Sequence, residues 1–185
     1  AARTVLDNLF DCLTAWVAPF VCFTAEEAWL ARYPSDTDSV HLRTFPEIPA
    51  DWHDDLLAAK WDRVRDLRRV VTGALELERA EKRIGSSLQA SPVVFAGPDY
   101  RDAMKAIDLA EIAITSDATL SADPAPAEAF SMADVPGVAV VPRLADGTKC
   151  VRCYRVLPEV TRDPSRGEIC DRCADAVAHF PVAAE

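Results

Sequence analysis

Four cysteines near the C-terminus, Cys150, Cys153, Cys170 and Cys173, follow a C-x2-C, sixteen-residue, C-x2-C pattern. This doubled spacing constrains the fold more than any other feature of the chain. Two residues between cysteines let a tight turn aim both sulfurs at one point, and two such knuckles complete a tetrahedron around Zn²⁺. A zinc held by four thiolates has no open coordination position, so one structural ion per chain is expected, without chemistry of its own. The same cysteines read alternatively as two disulfides or a redox dithiol. Gly167 is placed for the turn before the second knuckle, and a ribbon is expected from about Gly147, with a closing helix from Asp171 to about His179.

The remainder is large enough to bury a core. The chain has 185 residues, half of them hydrophobic, and no apolar run approaches the ~20 residues a membrane span needs. It starts without Met, in mid-helical pattern at Ala1-Ala2-Arg3-Thr4-Val5-Leu6, as expected of a piece of a longer protein. Cys12 and Cys22 lie in apolar helical stretches and are expected as core thiols. Free thiols beside a metal knuckle fit a reducing cytoplasm.

The formal charge of −10 argues against a polyanionic partner until its distribution is considered. Residues 60–83 carry eight basic and five acidic side chains, a net of +3. Residues 143–173 carry seven basic and five acidic, a net of +2. Local fields steer a polyanion, so these two segments could meet nucleic acid despite the acidic total.

Val5, Leu6, Leu9, Phe10, Leu13, Trp16 and Val17 follow the spacing of one buried helix face, which Pro19 should stop. Thr24-Ala25-Glu26-Glu27 has the form of a capping box opening a second helix that ends before Pro34. A loop follows, with a short extended piece at Val40–Thr44. Residues 52–84 give the longest helical signal. Its apolar stripe is Trp61, Val64, Leu67, Val71, Ala74 and Leu75, and Gly85-Ser86-Ser87 is expected as its C-terminal cap. Arg65, Arg68, Arg69 and Arg79 lie on another face. They read either as a solvated surface laced with ion pairs or as phosphate contacts.

Residues 91–143 change period. Val93–Phe95, Ile112–Ile114 and Val138–Val141 are strand-like, a helix is expected near 100–107, and 122–136 reads as a loop. The fold class expected is a mostly α-helical N-terminal part, a small α+β module of β-α-β order, and a C-terminal four-cysteine zinc ribbon. The corresponding segments are 1–50, 51–90, 91–145 and 146–185.

No catalytic constellation emerges. Glycine-rich phosphate loops, nucleophile elbows and metal-hydrolase histidine pairs are all missing, and His41, His53 and His179 are scattered. No catalytic residue is therefore assigned.

Ala18-Pro19-Phe20 through Thr24-Ala25-Glu26-Glu27-Ala28-Trp29 resembles the APF-x-x-FTAEE-x-W signature of the helical anticodon-binding domain in class I aminoacyl-tRNA synthetases. Leu75-Glu76-Leu77-Glu78-Arg79 and Lys82-Arg83-Ile84-Gly85-Ser86-Ser87-Leu88-Gln89-Ala90 resemble the matching region of the isoleucyl branch, which in bacteria ends in a four-cysteine ribbon. Two positions depart from the family pattern: Cys22 stands where Pro is usual, and Tyr154 where Trp is common. The resemblance implies a parent enzyme that uses ATP to ligate isoleucine to its tRNA, with its catalytic and editing domains upstream. This chain would then be the tRNA-reading end, cytoplasmic and monomeric, with tRNA(Ile) as partner. On that reading Arg65, Arg68, Arg69 and Arg79 meet phosphates, while Tyr154, flanked by Arg152 and Arg155, stacks on an unpaired base. Tyr154 reads equally as a residue packing across the ribbon itself. A zinc ribbon of this kind also closes formamidopyrimidine-type DNA glycosylases, and a ribbon serving only as a folding or interaction clip is a third reading.

Overall fold

The computed structural model describes residues 2–163 and 167–179. They fall into two compact units, Ala1–Asp54 and Asp55–Glu185.

The first unit is a helical hairpin. Helix α1 (Ala2–Val17) ends just before Pro19, and α2 (Cys22–Arg32) returns alongside it. Trp29 is the centre of this unit: it stacks on Phe10 at 6.4 Å and meets Tyr33 at 4.4 Å with the rings tilted by 47°, and the Arg43 guanidinium lies 4.2 Å above its ring. Ala18, Ala25 and Val40 close the cluster.

Four expectations fail here. Helix α2 starts at Cys22 behind Val21, with no side-chain cap, so Thr24 and Glu27 form no capping box. The amides of Phe20 and Val21 both reach back to the Val17 carbonyl, and this tight turn leads straight into a helix whose N-cap is Val21, three residues before Thr24. Glu26 instead crosses to the following loop, where its carboxylate accepts from Ser39 Oγ and Val40 N, each at 2.9 Å. That grip winds Val40–Leu42 into a 3-10 turn where an extended piece was expected. Cys22 is exposed, while Cys12 is buried as expected. The α1 face expected to be buried is largely open: Val5, Leu6, Leu9, Leu13, Trp16 and Val17 are all exposed. Helix α1 is amphipathic, but the residues buried along it are Cys12, Thr14 and Ala15, at the edges of its apolar stripe and on its polar side, and most of the stripe is left open.

In the second unit, helix α3 (Asp55–Ala80) lies on a four-stranded sheet. The strands are β1 (Val93–Ala96), β2 (Thr119–Ser121), β3 (Phe130–Met132) and β4 (Val135–Val141), in the order β2-β1-β4-β3. Val64, Leu67, Val70, Val71, Ala74 and Leu75 of α3 are buried against Val94, Val135, Val138 and Val140. Burial of each such aliphatic side chain is worth about 1.5–3 kcal/mol, so this interface dominates the unit. Val70 completes a stripe for which the spacing had picked only its neighbours. Gly73 lets the sheet approach the helix: a Cβ there would stand 3.0 Å from the Phe130 ring.

Strand β1 pairs in parallel with β2 and antiparallel with β4, so the β-α-β order holds. Its second strand is not the expected Ile112–Ile114. That run closes α5 (Leu109–Ala113), because the Asp108 carboxylate accepts from Ala110 N and Glu111 N and starts a helix that the β-branched residues finish. The expected helix near 100–107 is α4 (Pro98–Ala103). The stretch 122–136, read as a loop, contains β3, paired with β4 across a bulge between Ser131 and Met132.

Gly85-Ser86-Ser87 does not cap α3. The helix stops at Ala80, Lys82 takes a left-handed conformation (φ 58°), and Arg83 N returns to the Glu78 carbonyl. Ser86 and Gln89 instead form a capping box on the 3-10 turn Ser87–Gln89.

Candidate metal centre and nucleic-acid interface

Beyond β4 the chain forms two short hairpins, β5 (Thr148–Lys149) with β6 (Val156–Leu157) and β7 (Thr161–Asp163) with β8 (Gly167–Ile169), followed by α6 (Asp171–His179). The turn of the first hairpin carries Cys150 and Cys153, and the second hairpin leads into Cys170 and Cys173. Gly147 must be glycine to enter the first. Its φ is +116°, and a Cβ there would lie 2.2 Å from the Leu157 backbone.

The first knuckle closes on itself. Cys150 N donates to the Arg155 carbonyl at 2.8 Å, and Tyr154 N donates to the Cys150 carbonyl at 2.9 Å. Val151 N reaches the Glu168 carbonyl, lacing the two hairpins together. Cys170 precedes α6, and Cys173 lies in its first turn. Cys150, Cys170 and Cys173 are buried with Val160, while Cys153, Leu157 and Ile169 pack around them. The four sulfurs lie within 4.8 Å of one another, an arrangement that can hold one metal ion. Cys153 Sγ and Cys170 Sγ are 3.7 Å apart, close to the ~3.8 Å edge of a tetrahedron with metal–sulfur bonds of about 2.3 Å. That distance is far beyond the ~2.05 Å of a disulfide, and all six cysteines are free thiols.

The electrostatics differ from one sulfur to the next. Burial raises the Cys150 thiol, but backbone N–H groups of Cys153, Cys170 and Arg152 aimed at its sulfur override this and hold its pKa at about 6. Cys153 N and Cys170 N stand 3.5 and 3.4 Å from that sulfur. Cys170 has burial as its largest influence and is pushed up to about 12. Arg152 sends a guanidinium nitrogen to 3.6 Å from Cys173 Sγ. These are donors that a cluster of negative sulfurs requires.

The other expected site residues fall into two groups. Tyr154 is exposed on the first knuckle, with Lys149 Nζ 4.9 Å from its ring centre. It adopts φ 66°, a left-handed conformation that costs an ordinary L-residue about 1–2 kcal/mol and glycine very little. The ring is more than half exposed, with its remaining surface against Lys149 of β5. The second group runs along α3. Arg65 pairs with Asp62 at 2.6 Å, Arg69 with Asp66 at 3.2 Å and Asp134 at 2.9 Å, and Arg79 with Glu76. Arg68 donates from Nε to the Ile112 carbonyl at 2.9 Å. All four side chains lie on the surface, and Arg65, Arg69 and Arg79 each pair with the carboxylate three residues before.

Arg155 behaves differently. Its guanidinium donates to the carbonyl of Ser116, a fully buried residue 39 positions away. Ser116 carried no signal in the sequence, because a small polar residue between α5 and β2 reads as loop.

Residues 1–94 match the anticodon-binding domain of tRNA ligase, and the chain belongs to that family. Among curated proteins it is 51% identical over 178 residues to the isoleucine–tRNA ligase of Agrobacterium fabrum, and 47% identical over 183 residues to that of Bartonella henselae. The isoleucine–tRNA ligase of Ruegeria pomeroyi is again 51% identical over 178 residues. These alignments cover 96%, 98% and 96% of the chain but only 18%, 19% and 18% of the relatives. The chain thus spans about a fifth of the length of the ligases it matches. The family match falls on an anticodon-binding domain and not on a catalytic one. Among the described residues, no helix is long and apolar enough to cross a membrane.

Proposed function

We propose that this chain is the tRNA-reading end of an isoleucine–tRNA ligase, and that it holds one structural zinc ion on Cys150, Cys153, Cys170 and Cys173. The observation that carries the reading is the family match over residues 1–94, continuous in one alignment with the four-cysteine ribbon. The parent enzyme would attach isoleucine to tRNA(Ile) with ATP, through catalytic and editing domains upstream, as a cytoplasmic monomer. Four thiolates suit zinc and fill its tetrahedral coordination, so the ion would fold the ribbon and leave recognition to the side chains the ribbon displays. Tyr154 and Arg152 would contact an unstacked base and its phosphate. Arg65, Arg68, Arg69 and Arg79 would exchange their present partners for backbone phosphates. Arg155 would act through the fold, since two of its guanidinium nitrogens already hold the Ser116 carbonyl.

The test is competition binding by the ligase that carries this chain, with tRNA(Ile) against duplex DNA of similar length over a salt series. The reading expects tRNA(Ile) to displace labelled tRNA while duplex DNA fails, with affinity falling as salt rises. Equal competition by duplex DNA would favour a glycosylase-type ribbon. Undiminished tRNA binding after removal of residues 146–185 would leave the ribbon a folding clip.

A further inference from the structure

Ser116 uses every hydrogen-bonding group it has, and its partners lie in two separate segments, 88–90 and 155–156. Its N–H donates to the Ala90 carbonyl at 3.1 Å, and its hydroxyl donates to the Leu88 carbonyl at 2.5 Å. The same hydroxyl accepts from Val156 N at 2.6 Å. Its carbonyl accepts from Arg155 Nε at 3.2 Å and from a second guanidinium nitrogen of that residue. None of its surface reaches solvent. Leu88 and Ala90 belong to the segment between α3 and the sheet, whereas Arg155 and Val156 lead out of the first cysteine knuckle.

Arg155 links the two ends of this arrangement. Its own carbonyl receives Cys150 N–H and closes the knuckle, while its side chain reaches Ser116. One residue therefore completes the metal-binding turn and ties that turn to the α+β module. The metal organises the ribbon internally, but a tetrahedral ion does not set the direction in which the ribbon faces. We propose that Ser116 and Arg155 are positioning residues: they lock the cysteine ribbon onto the module in one orientation, and so fix where Tyr154 and Arg152 are presented. The proposal rests on the tRNA-binding reading only for what that orientation serves.

The hydroxyl is decisive, because only a group that donates and accepts can join Leu88 to Val156. In Ser116→Ala both backbone groups lose that partner while the Arg155 bonds to the residue's carbonyl remain, and the loosened ribbon gains freedom to swing while its sulfurs stay together. Two measurements test this. In the zinc-loaded chain, amide residual dipolar couplings from 93–141 and from 148–157 should fit a single alignment. In Ser116→Ala and in Arg155→Gln they should no longer do so, with zinc content unchanged. In the parent ligase, Ser116→Ala should raise KM for tRNA roughly tenfold, with isoleucine-dependent pyrophosphate exchange unaltered. Arg155→Lys, which keeps one donor, should fall between wild type and Arg155→Gln. A single alignment surviving in both Ser116→Ala and Arg155→Gln would overturn the proposal. Loss of zinc from Ser116→Ala would also overturn it, showing that the residue supports the metal site and not its orientation. A reoriented ribbon with unchanged KM would uphold the clamp and count against the tRNA reading alone.

Discussion

A guanidinium nitrogen of Arg152 stands 3.6 Å from the sulfur of Cys173, on the opposite knuckle. Four thiolates around a dication retain a charge of about −2, and this arginine faces that excess directly. Arg152→Ala should therefore weaken metal binding by roughly 10–100-fold, the usual effect of removing a group that supports metal ligands. Chelator competition would measure it, and an unchanged affinity would show that the backbone donors suffice.

Removing the metal should unfold the ribbon and spare the sheet. The buried cluster there consists of three of the cysteines and Val160, too little apolar surface to offset chain entropy without a staple. In Cys170→Ser, amide exchange should become fast across 148–157 and 167–173. Because Ser116 touches the ribbon, protection at Val156 and near Leu88 should fall as well. The amides of α3 and β4, inside the main core, should keep theirs, and their collapse would mean that the metal supports the whole unit.

Gly147→Ala should be among the most damaging single-methyl changes in the chain. The added carbon meets the Leu157 carbonyl group at 2.2–2.3 Å, at a φ that L-residues rarely adopt. Backbone must move, so a loss of about 1–3 kcal/mol or more is expected, with lower zinc occupancy. A full-strength metal site in this variant would contradict the hairpin geometry.

The cysteine pattern was legible because each knuckle is local and its spacing is set by metal geometry. Helix α3 was legible for a similar reason, its stripe repeating over many turns. What escaped notice depended on distant partners. Ile112–Ile114 has strand-type residues, yet the cap at Asp108 four positions earlier commits it to a helix. Strand β2, Thr119–Ser121, is short and half polar, and is recruited only because β1 lies beside it. Thr24 and Glu27 had the right spacing for a box, but the turn at Pro19–Val21 had already started the helix. Arg155 looked like a nucleic-acid contact from its neighbours Arg152 and Tyr154, and nothing local pointed to Ser116.

Acid should weaken the C-terminal end of α3. Arg83 donates two hydrogen bonds to the Glu78 carboxylate, at 2.6 and 2.5 Å, and these hold its pKa below the usual glutamate range. A carboxyl depressed in the folded state adds stability above its unfolded pKa, and that contribution is lost as pH falls through the lowered folded value. Glu78→Gln should therefore lower Tm at neutral pH, with the difference from wild type shrinking below about pH 4.3. A difference independent of pH would assign the effect to packing.

Tyr154 tests the account most directly, because its exposed ring is held in a strained backbone conformation at the metal knuckle. In the full-length ligase, Tyr154→Ala should raise KM for tRNA(Ile) by roughly one to two decades, corresponding to ~1–3 kcal/mol of base–aromatic stacking. Isoleucine-dependent pyrophosphate exchange and zinc content should stay at wild-type values, since neither requires contact with the anticodon. Normal charging kinetics in Tyr154→Ala, accompanied by lost zinc or a lower Tm, would contradict the account and make the tyrosine a structural part of the ribbon.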